Sequence, residues 1–523
     1  VLFVPQPFFV TVKTYKIVDI YKERLCLGFQ LASMTTSSSS SSTSFSSASG
    51  VKPVGVLLVL AFLAAALLIG GLWLFYVPAA KTGVGSVVAP DVNVVLIVMD
   101  AFRFDRVGAQ RNGVALTPFL DELLGESAFF SEAMSNCTWT RPSMSSLFTS
   151  LYVDSHQVIY DTLPPEGSPA LAALSPELTP MAAVMKAWGY GTIGIQTNGN
   201  LLPEFGFDRG FDVYRVSVDD TGSVVSDWAL EELAKVKGSF FLYAHYMDPH
   251  LPYNPPPEYR SMMGYDRDAL EADETAVVED FLDYLMAHCK YKTGQLERLP
   301  MAPLSEAGRE AVRCLYDACI RYTDDQLRRL VTAVRSQAPE TLFVILADHG
   351  EHFWDHDLLG HGLSLYECEL HVPLLLFGPA VPKGVYTHPV QLIDVLPSLS
   401  LLLGTEASDT WQGRTLFDDS PRPLYAKTRG MTEEWNTDLE SVIDGDRKLI
   451  VDHGDGSAQL YAWRSDPVES ANLAASEADT VRRMQSLLET QYKANLRARR
   501  GVGQEVTIDE ETREQLRRLG YMD

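Results

Sequence analysis

Only six of the 523 residues are cysteine, and no two of them form a C-x-x-C pair. That excludes a disulfide scaffold and a thiolate zinc site as the organising feature of the chain. Positive charge is also scarce, with 43 Lys and Arg against 68 Asp and Glu and a net charge of −25. So acidic a surface repels a phosphate backbone, which excludes DNA and RNA as partners. Glycine, at 36 residues, is too sparse for a collagen-like chain, and neither an internal repeat nor sustained heptads can be found. What remains, 46 % hydrophobic and 21 % charged, is ordinary globular material long enough for two or three structural units.

Long apolar runs are nearly absent as well, with one exception. Residues 54–77, VGVLLVLAFLAAALLIGGLWLFYV, contain no charge over 24 positions. About 20 such residues cross a bilayer core, and Trp73, Phe75 and Tyr76 crowd the end where aromatic rings favour the interface. The expectation is an uncleaved single-pass transmembrane helix, with a cleaved signal peptide as the competing reading. Residues 1–53 hold five basic and two acidic side chains, whereas the remainder holds 38 and 66. This asymmetry orients the body to the extracytoplasmic side, periplasmic or extracellular. Thirteen of residues 35–50 are Ser or Thr, which cannot build a core. The first Met is Met34, so residues 1–33 read as a mis-called start and receive no function.

After this segment the chain alternates between apolar runs and helical patterns. Residues 92–99, 191–197, 239–244 and 341–347 read as buried strands, and 118–127, 179–188, 224–236 and 312–335 as amphipathic helices between them. Such alternation predicts an α/β fold: a mostly parallel sheet with helices on both faces. The insert 255–311 interrupts the pattern as a rim or lid. A catalytic domain is expected over 91–405, and a small C-terminal α+β subdomain with a charged helix near 475–500 over 406–523.

In open α/β sheets, functional groups collect beyond the carboxyl ends of the strands. Here one strand runs into Asp100, another into Asp348-His349-Gly350-Glu351, and a third into His245 and, five residues later, His250. One Asp after a strand means little, but three such ends point to a metal or an anion. Asp100, Asp348 and His349 are therefore candidate metal ligands. Thr140 precedes Arg141-Pro142, and Pro142 suits the first turn of a helix. By itself Thr140 reads as a helix cap. Beside a metal its hydroxyl becomes a credible nucleophile and a fourth ligand.

These segments resemble the sulfatase family of the alkaline phosphatase superfamily over most of residues 92–523. The resemblance rests on NVVLIVMDAFRFDRVG, TRPSMSSLFTSLYVDSH, NGNLLPEFGFDRGFD, HYMDPHLPYNPP, ADHGEHFWDHDLLGHG and LYAWRSDPVESANLA, in the family's order. It implies an alkaline-phosphatase-like fold with one divalent metal ion. It also implies that His250 contacts substrate and protonates the leaving oxygen, and that His361 supplies the charge or hydrogen bond that Lys gives elsewhere. Arg141, His245 and Asn198 are further substrate-binding candidates, for which structural roles remain equally open. Glu351 would support the metal ligands from behind.

The departures from the family pattern bear on the chemistry. Thr140 stands where sulfatases carry the Cys or Ser that becomes formylglycine, and Met144 replaces an Arg. Ala101 replaces the second Asp of the usual pair, and His349 replaces an Asn. Gln196–Leu201 stands in place of the Gly-Lys-Trp-His-Leu block. Threonine cannot become the aldehyde, so phosphate esters come within scope. The implied activity is hydrolysis of sulfate or phosphate esters, possible substrates including glycans and lipid headgroups. A phospho-headgroup transferase or phosphodiesterase, and an inactive binding protein, are the alternatives. A His ligand suits Mn²⁺ or Zn²⁺ better than Ca²⁺ or Mg²⁺.

Overall fold

The structure, a computed structural model, describes residues 91–513 apart from 160–169, 219, 280, 282–303, 430–436, 502–503, 508 and 511. The segments 1–53 and 54–77, with the expected anchor, lie outside the described residues. Among the described residues no helix is long and apolar enough to cross a membrane.

The centre is an eight-stranded sheet. In chain order its strands are β1 (Asn93–Met99), β2 (Ala128–Phe130), β3 (Gly191–Gln196), β4 (Val213–Val216), β5 (Phe240–Tyr246), β6 (Thr341–Ala347), β7 (Leu374–Phe377) and β8 (Gly384–Tyr386). Across the sheet they run β8-β2-β7-β6-β1-β5-β3-β4. From β6 to β4 every pairing is parallel, whereas β7 is antiparallel to β6. Val94 through Met99 are all buried, so both faces of the sheet are covered. That explains why β1, β5 and β6 read as unbroken apolar runs rather than alternating ones. The strands β2, β4, β7 and β8 are three or four residues long, too short for the sequence pattern to mark them.

Register assembles the site. Met99 pairs with Ala347 on one side and Tyr246 on the other, so three strands end level. The residues that follow, Asp100 and Asp348 among them, emerge at one edge. One expectation is corrected here: β5 does not stop at Ala244 but continues to Tyr246. His245 therefore lies within the sheet, opposite Val98 and Gln196, rather than in a loop beyond it.

The helices that matter below are α1 (Thr140–Thr149), α2 (Glu306–Gln337), α3 (Glu367–Leu370) and α4 (Ala478–Ala498). In α2, the hydroxyl of Ser305 accepts the Gly308 N–H, and Leu327, Leu330, Val331 and Val334 line a buried stripe. The C-terminal part forms a four-stranded antiparallel sheet, β9 (Leu424–Arg429), β10 (Asp438–Asp444), β11 (Arg447–Asp452) and β12 (Ala458–Tyr461). One face packs Val442, Leu449 and Leu460 on Met484 of α4. The other packs Ile443, Ile450 and Tyr461 on Leu365 and Leu370 around α3, so α3 is the joint between the two parts.

Candidate active site

Asp100 and Asp348 each spend one carboxylate oxygen on the fold. Asp100 Oδ2 is 2.9 Å from His245 Nε2 and also accepts from the Asn198 side-chain amide. Asp348 Oδ1 accepts the backbone N–H groups of Ala101 at 3.3 Å and His349 at 2.9 Å. The other two oxygens, Asp100 Oδ1 and Asp348 Oδ2, are buried without a hydrogen-bond partner among the described residues. His349 Nε2 lies 3.5 Å from each of them and 3.4 Å from Thr140 Oγ1.

The protonation of His349 follows from its other nitrogen. Nδ1 sits 2.8 Å from the Gly350 carbonyl, which can only accept, so Nδ1 carries the proton and Nε2 presents a lone pair. Two carboxylate oxygens, a ring nitrogen and a hydroxyl oxygen thus converge with their electron-rich sides inward. All four residues are fully buried. Burial, with Asp100 alongside, pushes Asp348 well above the usual carboxylate range. Burial works against ionised Asp100 too, but the His245 hydrogen bond and the nearby His250 and His349 rings outweigh it and hold Asp100 low. His349 is pushed down to about 4 by burial and by His361. Such a cluster is electrostatically incomplete without a cation. Its mixed oxygen and nitrogen donors fit a single divalent metal ion.

Thr140 is the first residue of α1, and the cap position belongs to Trp139, which offers no side-chain hydrogen bond. The reading of Thr140 as an N-cap is therefore corrected. Its hydroxyl points instead to His349 Nε2 and accepts from Asn198 Nδ2 at 3.3 Å. Ser143 Oγ donates to the Asp348 carbonyl at 2.7 Å, tying the first turn of α1 to the end of β6. Asn198 is placed by its own turn, its Oδ1 accepting the Asn200 N–H at 2.6 Å. Its amide then spans Asp100 and Thr140, a stronger assignment to the site than its spacing suggested.

His245 is brought to the site with a partner on each ring nitrogen. The Tyr243 hydroxyl lies 2.7 Å from His245 Nδ1, and Asp100 takes Nε2, so both ring nitrogens are occupied. Hydrogen-bond donation to the carboxylate requires the proton on Nε2. That also removes His245 as a ligand, although it clusters with Asp100 and Asp348. Arg141 donates to Asn200 Oδ1 at 2.6 Å and lies over the Phe205 ring at 3.8 Å.

His250 and His361 flank the convergence point. The ring of His361 is 4.5 Å from that of His349 and 4.7 Å from that of His250. His361 Nδ1 is 3.1 Å from Glu351 Oε1, and its Nε2 is buried without a hydrogen-bond partner. Glu351, pushed up to about 7 by burial, also accepts from the Tyr253 hydroxyl at 3.1 Å. Sequence reasoning missed Tyr253, Glu369 and His352. The first sits in a Pro-rich stretch, and the latter two lack a spacing that marks them apart from ordinary loop polar residues.

The chain is similar to known proteins. A multifunctional alkaline phosphatase superfamily protein, PehA, from Trinickia caryophylli is 24 % identical over 70 % of this chain and 83 % of its own length. A phosphonate monoester hydrolase from Agrobacterium radiobacter superposes with a TM-score of 0.59 at 18 % identity, over 78 % of this chain and 96 % of that one. A third protein, solved with its substrate D-glucosamine-2-N,6-O-disulfate, gives a TM-score of 0.60 at 17 % identity, over 77 % and 99 % of the two chains. The sulfatase family model matches residues 92–405, the span that carries every residue of the convergence point, and the chain belongs to the sulfatase family of hydrolases.

Proposed function

We propose that the protein cleaves sulfate or phosphate esters by attack of the Thr140 hydroxyl, with phosphate esters preferred. The observation that carries this reading is the position of Thr140 Oγ1, within 3.4 Å of both His349 Nε2 and the Asn198 amide at the start of a ten-residue helix. Asp100, Asp348, His349 and Thr140 would hold the divalent ion. When bound, it would neutralise the two carboxylates and acidify a ligated hydroxyl. The positive end of the α1 dipole would stabilise the transferred anion. Asn198 holds the hydroxyl in line. Burial pushes His250 and His361 down to about 4; the negative charge of a bound ester would raise them, so that either can give the leaving oxygen its proton, with Glu351 holding His361 through Nδ1.

Threonine shapes the outcome. Attack forms a covalent ester on Thr140 that must be released by water or by an acceptor hydroxyl, because no aldehyde is available to expel the anion. Relatives act on both a phosphonate monoester and a sulfated sugar, so both chemistries belong in the test. A panel of aryl sulfates, phosphate monoesters, phosphodiesters and phosphonate monoesters, presented to the metal-loaded chain, should give its highest turnover on a phosphorus ester. Mass spectrometry after brief exposure should locate the adduct on Thr140. Turnover without an adduct, and unchanged in Thr140→Ala, overturns the mechanism. The reading extends to a membrane anchor over 54–77, supported by 24 uncharged positions and the basic flank before them. Resistance to alkaline extraction checks it, and a soluble form starting near Ala80 would refute it.

A further inference from the structure

Behind the segment that follows β6 lies a second buried polar cluster, centred on Glu369. Its carboxylate has three partners. Oε1 accepts the N–H of Gly362, next to His361, at 2.6 Å. Oε2 accepts the Ser364 hydroxyl and lies 2.8 Å from His352 Nε2. The main chain of the same helix grips the metal-ligand segment: the Glu369 carbonyl accepts the Gly350 N–H at 2.7 Å, and the Cys368 carbonyl accepts the Glu351 N–H at 3.1 Å. The fit is tight, since a Cβ on Gly350 would sit 2.0 Å from the Cys368 carbonyl oxygen.

His352 completes the unit. Its Nδ1 is 3.3 Å from Cys368 Sγ, so both ring nitrogens have a partner on α3. Burial alone would push His352 down, but Cys368 and Glu369 hold it well above its usual range. A cationic ring donating to a carboxylate forms a charge-assisted hydrogen bond, roughly twice as strong as a neutral one. One helical turn thus braces two separate stretches, the one bearing Asp348 and His349 and the one bearing His361.

We infer that Glu369, paired with His352, is a positioning residue for the ester chemistry, setting the segment of Asp348 and His349 against the loop of His361. This rests on the roles given above to those three residues. A Glu369→Gln change keeps the volume and one acceptor oxygen. It sets an NH₂ group against donors on Ser364 and His352, or else against the Gly362 N–H. Either way one of the two braced stretches loses its side-chain hydrogen bond to α3, and small misplacements of reacting groups lower turnover steeply.

The test uses the full chain loaded with Mn²⁺ and the best ester of the panel, with turnover expressed per folded protein from thermal unfolding. Glu369→Gln should lower kcat by about 10–100-fold, the range for residues that orient metal ligands, with KM within about twofold. His352→Gln should act in the same direction. The double variant should be no worse than the poorer single one, because the pair works as a unit. A kcat for Glu369→Gln within about twofold of the unsubstituted chain overturns the inference, as do losses that multiply in the double variant. If Glu369→Gln does not fold, His352→Gln decides alone by the same twofold criterion. An unsubstituted chain inactive on the whole panel removes the ester reading and this inference with it. An active chain with unaffected variants removes the inference only.

Discussion

Two buried clusters of carboxylates in this molecule are built alike and finished differently. At the joint with the C-terminal sheet, Lys448 Nζ lies 3.0 Å from Glu367 Oε1 and 2.9 Å from Glu469 Oε1. Glu469 also accepts the Glu367 N–H at 2.7 Å and is pushed up to about 7 by burial. A cation from the chain itself balances these acids. At the ends of β1 and β6, Asp100 and Asp348 have His, Asn and backbone N–H groups on their outer oxygens, while the inner oxygens are without a hydrogen-bond partner. The first cluster has a lysine of the chain itself within 3.0 Å of both acids. In the second, no lysine or arginine stands against the inner oxygens among the described residues, and each lies 3.5 Å from His349 Nε2. Charge left uncompensated in a buried place marks function, because stability alone would not retain it.

The sharpest way to break this comparison is at Thr140. Thr140→Ala should lower kcat by about 10³-fold or more, as loss of a nucleophile does, whereas Thr140→Ser should keep a measurable part of it. Steady-state kinetics on the best ester decide this. Next comes Asp348→Asn. Elemental analysis should find about one equivalent of metal in the unsubstituted protein and far less in the variant. In metal-free protein the same change should raise the melting temperature, because it removes a carboxyl whose ionised form burial and Asp100 disfavour in the folded state. A fall would show the pair already balanced.

Lys448→Met tests the other cluster and should go the opposite way. It leaves two buried acids without their cation, at a cost of about 3–5 kcal/mol in urea unfolding. The smallest effect concerns a buried group with no charged partner. His156 accepts the Val158 N–H at Nδ1 and meets Ser146 Oγ at Nε2, each at 3.0 Å, and burial pushes it down to about 3. Its folded pKa lies below the unfolded value of 6.5, so the unfolded chain binds the proton first. Stability is full above that pH and falls as the pH drops toward 3, by at most about 1.4 kcal/mol per unit. His156→Gln should flatten the acid limb of a stability–pH curve between pH 6.5 and 5, and an unchanged slope would remove His156 as its source.

Much of the frame was legible from residue order. The runs 92–99 and 341–347 are apolar because both sheet faces are covered, and they mark β1 and β6 almost to the residue. The 32-residue helix α2 announces itself by an apolar stripe. The peripheral strands β2, β4, β7 and β8 did not, being three or four residues long. Asp100, Thr140, Asp348 and His349 were legible as a set. Their supports were not: His245 read as a loop residue because the end of β5 was placed two residues early. Glu369 could not be read at all, since its partners lie at Gly350, His352, Gly362 and Ser364 on two other stretches.

The sequence by itself therefore determined where acids and histidines follow strands, and with them the family and the class of chemistry. Local pattern suffices for that, because burial on both faces writes itself into consecutive residues. Only the tertiary structure decided what each side chain does there. It turned Arg141 toward Asn200 and Phe205 and set His245 behind Asp100. Above all it decided which oxygen of each Asp is used by the fold and which is left over. That choice depends on hydrogen-bond donors brought from distant parts of the chain, Asn198 and His245 to Asp100 among them, and only the packed sheet brings them within reach.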